Sequence, residues 1–227
     1  MTIAPPNDFS YIKRLDFLQH GLKLFSPPNW RNITLHEIEI CEILRQYPHP
    51  NICQYRGVEV DSKGMVSGLV FDRYDMSLNE AQRQGHYVDT ERCLRDIERA
   101  IKHFHALGLV HCDIKHDNIF VNLATQHFAL GDFDAVHREG ALLILKVGTL
   151  GWVPTYEDTD NLAEKGIDWY SFEMLKHWLK VRCNTLGGSR VPTNEILKQA
   201  RRCVIEGVRS CSPESSRSGG SPMDTTL

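Results

Sequence analysis

The sequence predicts an α+β fold, on three observations. Strand-like runs and turn residues dominate up to residue 71, with a single helical pattern among them. From residue 89 onward helical spacing takes over. Between the two helical regions, residues 111–134 gather Asp, Asn, Lys and His into a polar loop framed by apolar runs. A length of 227 residues suits one large domain or two small lobes. Hydrophobic content of 41% and charged content of 24% are those of a globular chain, and a net charge of −3 gives no reason to expect nucleic acid or an anionic membrane as partner. Seven cysteines, an odd number without paired C-x-x-C spacing, point to free thiols in a reducing compartment. Met1–Asp8 has neither a basic start nor an apolar stretch, and the longest apolar runs are about five residues, as in Ala141–Leu145. The expected location is cytoplasmic or nuclear.

Taken in order, Pro5-Pro6 mark residues 1–10 as a flexible end. Gly21–Phe25 reads as a short strand closed by Ser26-Pro27-Pro28, with Lys23 between apolar neighbours. Thr34-Leu35-His36-Glu37 is a capping-box pattern, and Leu35, Ile38, Cys41, Ile43 and Leu44 continue at helical spacing until Pro48. Ile52–Val60 and Met65–Phe71 read as strands joined by the Asp61–Gly64 turn. Asp89-Thr90 caps a helix with Leu94, Ile97, Ile101 and Phe104 on one face. His103 and His105 lie two apart on it and so face different directions, unable to chelate one metal together. Ile119–Val121 reads as a buried strand, Asp168 as the start of a helix packed through Phe172, Leu175 and Trp178, and Thr193–Val208 as a last amphipathic helix. The Ser-rich residues 209–227 are expected to be disordered.

The polar loop carries the chemistry. His111-Cys112-Asp113-Ile114-Lys115-His116-Asp117-Asn118 is followed by Gly131-Asp132-Phe133-Asp134. Phosphoryl transfer is governed by position and charge, so its site needs a carboxylate aimed at the acceptor hydroxyl, oxygen ligands for magnesium and a cation near the moving charge. Asp113 suits the first task, Asn118 and Asp132 the second, and Lys115 the third.

These linked motifs resemble the catalytic and magnesium loops of protein kinases. The resemblance spans about residues 11–180 and implies a bilobal fold: a small β-rich lobe with one helix over 11–71, a hinge at 72–78 and a shortened, mainly helical lobe over 79–208. It implies ATP and Mg²⁺ as cofactors and a protein as substrate. By the same resemblance Lys23 holds the α/β-phosphates and is oriented by a helix glutamate. Glu39 is chosen for that glutamate because Ile43 follows it by one turn, with Glu37 and Glu42 as alternatives. Phe71 backs the adenine pocket, Asp72 and Tyr74 offer main-chain hydrogen bonds, and Phe120 lies under the adenine ring. Gly148-Thr149 closes an activation segment, and Asp168 holds the catalytic loop from below.

The pattern departs from the family at several points. No G-x-G-x-x-G precedes Lys23, Cys112 stands where the family has a phosphate-reading arginine, and Asp134 replaces a glycine. Pro154-Thr155-Tyr156 takes the place of Ala-Pro-Glu, and about 47 residues follow Lys180. Three functions follow. The first is ATP-dependent transfer to protein serine/threonine hydroxyls, with Asp113 accepting the proton and Lys115 steadying the γ-phosphoryl. The second is a pseudokinase scaffold that binds ATP without efficient transfer. The third is a small-molecule phosphotransferase of the aminoglycoside-kinase type, which also uses His-x-Asp and a later Asn but leaves Lys115, His49–Ile52, Gly148-Thr149 and Asp168 without a role.

Overall fold

The computed structural model describes residues 1–14, 30–144, 146, 148–154 and 161–184. The strand expected at 21–25 with Lys23, the helix expected at 193–208 and the tail at 209–227 lie outside the described residues.

The first layer is a three-stranded antiparallel sheet of β1 (Ser10–Arg14), β2 (Tyr55–Val60) and β3 (Val66–Asp72), in the order β1-β3-β2. Strand β1 was not evident in the sequence, because it is an edge strand among the described residues, with only Ser10 buried, and therefore shows little apolar alternation. Its register sets Ser10 against Asp72 and Lys13 against Leu69. Strands β2 and β3 are joined at the expected turn, where Gly64 has φ +76° and donates to Asp61 O. The helix α1 (Trp30–Gln46) starts four residues before Thr34, so the capping-box pattern falls inside the helix, not at its start. It packs on the sheet through Ile40, Cys41 and Leu44.

Residues 2–4 are not a loose end. Val58 N donates to Thr2 O (2.8 Å) and Ala4 N to Val58 O (3.0 Å), bridging Ile3 alongside β2. Thr2 N in turn donates to Glu42 Oε1 on α1 at 2.6 Å. The hydrogen bonds come from backbone that precedes Pro5, so the prolines do not interfere. Gly57 permits this approach: at φ +148°, a Cβ there would lie 2.5 Å from Thr2 O and 2.9 Å from Ala4 Cβ.

The second layer is mainly helical. Strands β4 (Met76–Ser77), β6 (Ile119–Asn122) and β7 (His127–Leu130) form one small sheet, and β5 (Leu109–Val110) pairs with β8 (His137–Arg138). Ser77 caps the short helix α2 (Leu78–Arg83), and Asp89 caps α3 (Thr90–Ala106) by accepting from Arg92 N. Helix α4 (Lys165–Asn184) begins three residues before Asp168. The core joins Ile97, Ile101 and Phe104 of α3 to Phe128 and Leu130 of β7, to Phe133 and to Leu175 of α4. The two layers meet where Cys53 N donates to Leu130 O and Leu130 N to Asn51 O. Among the described residues no helix is long and apolar enough to cross a membrane.

Gly57→Ala is expected to lower stability by about 1–3 kcal/mol through the clash and the positive φ. Gly64→Ala, with a positive φ but nothing within 4 Å, is expected to cost about 1 kcal/mol. Urea unfolding midpoints of the two variants check the difference.

Candidate active site

The loop at 111–118 is anchored from beneath. Strand β5 ends at Val110, and the next two amides point into α4, where His111 N and Cys112 N each donate to Asp168 at 2.9 Å. His105 Nε2 meets the same carboxylate at 2.9 Å, and Asp168 is fully buried. These bonds hold Cys112 at φ +62°, a conformation that a side chain with a Cβ adopts only under constraint. The turn also brings Cys112 O so close to Gly148 that a Cβ there would lie 2.2 Å away. His111 Nε2 donates to Gly131 O (3.1 Å), which fixes Nδ1 as acceptor for Asp113 N (3.3 Å). The ring also sits edge-on to Phe104 and Phe133. One imidazole thus ties the loop to the Gly131–Asp134 turn.

Asp113 sits at the loop's turn, and its carboxylate accepts from every side. Thr149 N (2.8 Å) and Thr149 Oγ1 (2.7 Å) donate to Oδ1, while Lys115 Nζ (2.7 Å) and Asn118 Nδ2 (3.1 Å) donate to Oδ2. Lys115 Nζ also donates to Thr149 Oγ1 (2.6 Å), so the lysine, the aspartate and the Gly148-Thr149 segment form one closed network. Asn118 Nδ2 further donates to Asp113 O (2.9 Å), which turns its carbonyl oxygen to the opposite side, toward the cleft it lines. His116, in the same loop, is wedged between Trp152 and Trp178 at ring distances of 4.7 and 4.6 Å. Asp113, Lys115 and Asn118 are therefore brought together as the sequence spacing suggested.

Lys23 lies outside the described residues, and another lysine, Lys13, lines the cleft. Lys13 of β1 reaches Glu37 Oε1 at 2.7 Å and Asp132 Oδ1 at 2.5 Å. Glu39 is exposed on α1, whereas Glu37 is buried in phase with Ile33, Cys41 and Leu44. Ile43, on which the choice of Glu39 rested, is only half-buried. Glu42 bonds Thr2 and Arg45 instead. A buried carboxylate within an apolar stripe was the signal available in the sequence for Glu37. For Lys13 it was the Tyr11-Ile12-Lys13 run. Burial opposes the Lys13 ammonium, but Glu37, Asp132 and Asp134 outweigh it and hold Lys13 above its ordinary range. Burial also lifts Asp132, yet Lys13 and Lys146 overcome it and keep this carboxyl below the usual carboxylate range. Glu37, the more enclosed partner, is raised by burial despite Lys13. Asp132 is thus the partner whose charge Lys13 holds more firmly.

Asp132 itself has φ +60°, so it too is a non-glycine residue held in the left-handed region. Asp134 departs from the family pattern and finds a partner: Lys146 Nζ lies 2.5 and 2.6 Å from its two oxygens and 3.9 Å from Asp132 Oδ2.

Between the layers lies a cleft of about 530 Å³. Phe71, Asp72, Tyr74 and Phe120 line it together with Lys13, Glu37, Asn118 and Asp132. The N–H groups of Asp72, Arg73 and Asp75 are taken by Gln54 O, Phe9 O and Val121 O, leaving that of Tyr74 without a partner among the described residues. Asp72 therefore has no free N–H to offer, and its carboxylate pairs with Arg56. A hard divalent cation takes oxygen ligands, and the Asn118 amide with the Asp132 carboxylate, both of residues that line the cleft, offers that chemistry.

Comparison with known proteins agrees with this architecture. The protein kinase domain family matches residues 25–209, so the chain belongs to the protein kinase family. Lys13 lies ahead of the matched residues, and its assignment rests on geometry. The chain is 28% identical over 169 residues to Wee1-like protein kinase 1-B of Xenopus laevis, covering 67% of this chain and 28% of that protein. It is 29% identical over 157 residues to the serine/threonine-protein kinase polo of Drosophila melanogaster, covering 67% of this chain and 25% of that one. It thus spans between a quarter and a third of these relatives. A chain of the yeast RNA Pol II CTD kinase CTDK-1 complex shares the fold at 16% identity and a TM-score of 0.60, over 80% of this chain and 57% of that one.

Asp168→Ala is expected to cost about 2–5 kcal/mol, because two buried N–H groups and His105 lose their acceptor. Asp168→Asn keeps one acceptor oxygen and is expected to recover part of that loss in thermal unfolding.

Proposed function

We propose that the chain transfers the γ-phosphoryl of ATP to serine or threonine hydroxyls of a protein. The observation that carries this reading is that Asn118, Asp132 and the Lys13–Glu37 pair line one cleft, with Asp113 and Lys115 joined to Asn118 through the Asp113 carboxylate. The adenine edge meets the Tyr74 N–H, with Phe71 behind it and Phe120 beneath. Lys13, steadied by Glu37 and Asp132, holds the α/β-phosphates. Asn118 and Asp132 would hold Mg²⁺, which would neutralise phosphate charge.

Asp113 has four donors on its two oxygens, filling its lone-pair positions. An acceptor hydroxyl therefore takes the place of Thr149 Oγ1 on Oδ1, where it is oriented and gives up its proton. Lys115 already bridges Asp113 and Thr149, so its ammonium stands beside the incoming oxygen. The Lys115–Thr149 pairing and the likeness to a serine/threonine-protein kinase favour aliphatic hydroxyls as acceptors.

A second reading, an ATP-binding scaffold without efficient transfer, is favoured by one feature. The two oxygens of Asp113 already hold four donors, so neither offers an open position to an acceptor hydroxyl.

Labelled γ-phosphate transfer from Mg·ATP to a generic basic protein separates the two. Asp113→Ala is expected to lower the rate by on the order of 10²–10⁴, and ATP binding without transfer by the parent chain supports the scaffold instead. In the same assay Lys13→Met is expected to lower transfer by on the order of 10² or more, while Lys23→Met leaves it near the parent value. The opposite ranking would return the phosphate-side role to Lys23.

A further inference from the structure

We infer that Lys146 is the resident counter-ion of the Asp132–Asp134 carboxylate pair, and that a divalent cation binding at Asp132 displaces it and loosens the segment that carries it. The inference rests on the proposed reading of Asp132 as a metal ligand.

Asp134 stands where the family has a glycine, and its carboxylate is largely enclosed, with 15% of the side chain exposed. A carboxylate in that position needs a cation. Lys13 is 4.0 Å away and already engaged with Glu37 and Asp132, so it does not serve. Lys146 does: its ammonium contacts both oxygens of Asp134 and stands 3.9 Å from Asp132 Oδ2. The same lysine belongs to the stretch running into Gly148-Thr149, whose amide and hydroxyl hold Asp113. One ion pair therefore fastens this stretch to the aspartate turn. The buried Cys112 supplies no cation for the task, and its thiol donates to Val110 O.

An ammonium beside Asp132 and a divalent cation on Asp132 repel each other at such separations. Filling the metal site thus weakens the hold of Lys146. The residues around it present Leu142, Ile144 and Leu150 to solvent, with relative exposures of 56, 78 and 91%, which leaves Leu143 as the apolar anchor of this stretch among the described residues. Lys146 acts here as a positioning residue, through Asp134.

The test is chymotryptic cleavage after Leu142 and Leu150 in the full chain, with Mn²⁺ titrated alone and with a non-hydrolysable ATP analogue. Cleavage of the parent chain is expected to accelerate at least threefold on adding Mn²⁺. Lys146→Gln is expected to be cleaved fast without metal, to respond little to it and to reach half-saturation with Mn²⁺ at severalfold lower concentration. Lys146→Arg, which keeps the charge, is expected to restore the parent pattern. Parent cleavage indifferent to Mn²⁺, or Lys146→Gln indistinguishable from the parent, would overturn the inference. Metal-sensitive cleavage in a chain that transfers no phosphate would overturn the proposed activity but leave the counter-ion role standing.

Discussion

A single carboxylate, that of Asp168, underlies the geometry of the site. It receives two consecutive amides, His111 N and Cys112 N, and the His105 ring, all within a region closed to water. In such surroundings an unmatched donor costs on the order of 1–3 kcal/mol, so the three partners have no better arrangement available. The left-handed backbone of Cys112 is a consequence, and the loop that follows sets the Asp113 carboxylate among Lys115, Asn118 and Thr149 and lets Gly148 approach. The constraint passes through His111 to Gly131 and on to Asp132, the second strained aspartate-bearing turn. Helix α4 contributes no reacting group, yet its first turn sets where the reacting groups lie.

Charge organises the other side of the cleft. Three carboxylates, Glu37, Asp132 and Asp134, face two ammonium groups, Lys13 and Lys146. Each element that supplies one of them is otherwise independent: an edge strand, a helix, a turn and an extended segment. Their relative placement is therefore sensitive to electrostatics in a way the apolar core is not. The core locks α3, β7 and α4 through Phe104, Phe128, Phe133 and Leu175 whatever the state of the charges.

How much of this was readable in the sequence depends on how local the signal was. The loop at 111–118 was legible because its spacing alone carries the chemistry, and the α3 stripe because burial on one side imposes its period. The Asp61–Gly64 turn was legible for the same reason. Lys13 was not, because the identity of β1 comes from pairing with β3, more than fifty residues away. Its partner Glu37 stood only as an alternative to Glu39, because a buried glutamate imitates a surface one until its counter-ion is known. The start of α1 at Trp30 was hidden by a cap-like pattern inside the helix. Thr2 and Ala4 show the same limit: two backbone hydrogen bonds to Val58 leave no trace in composition. The Lys146–Asp134 pair follows from Asp134 replacing glycine, but only the fold says which lysine answers it.

The position of His116 gives the molecule a built-in optical gauge. Two of its four indoles, Trp152 and Trp178, bracket that imidazole, one from the segment after Thr149 and the other from α4. A third, Trp169, meets the ring of His105, the histidine on Asp168. Indole emission responds to the polarity and quenching groups packed against it. Light from this protein therefore reports, with no label attached, on the same few residues that shape its chemistry.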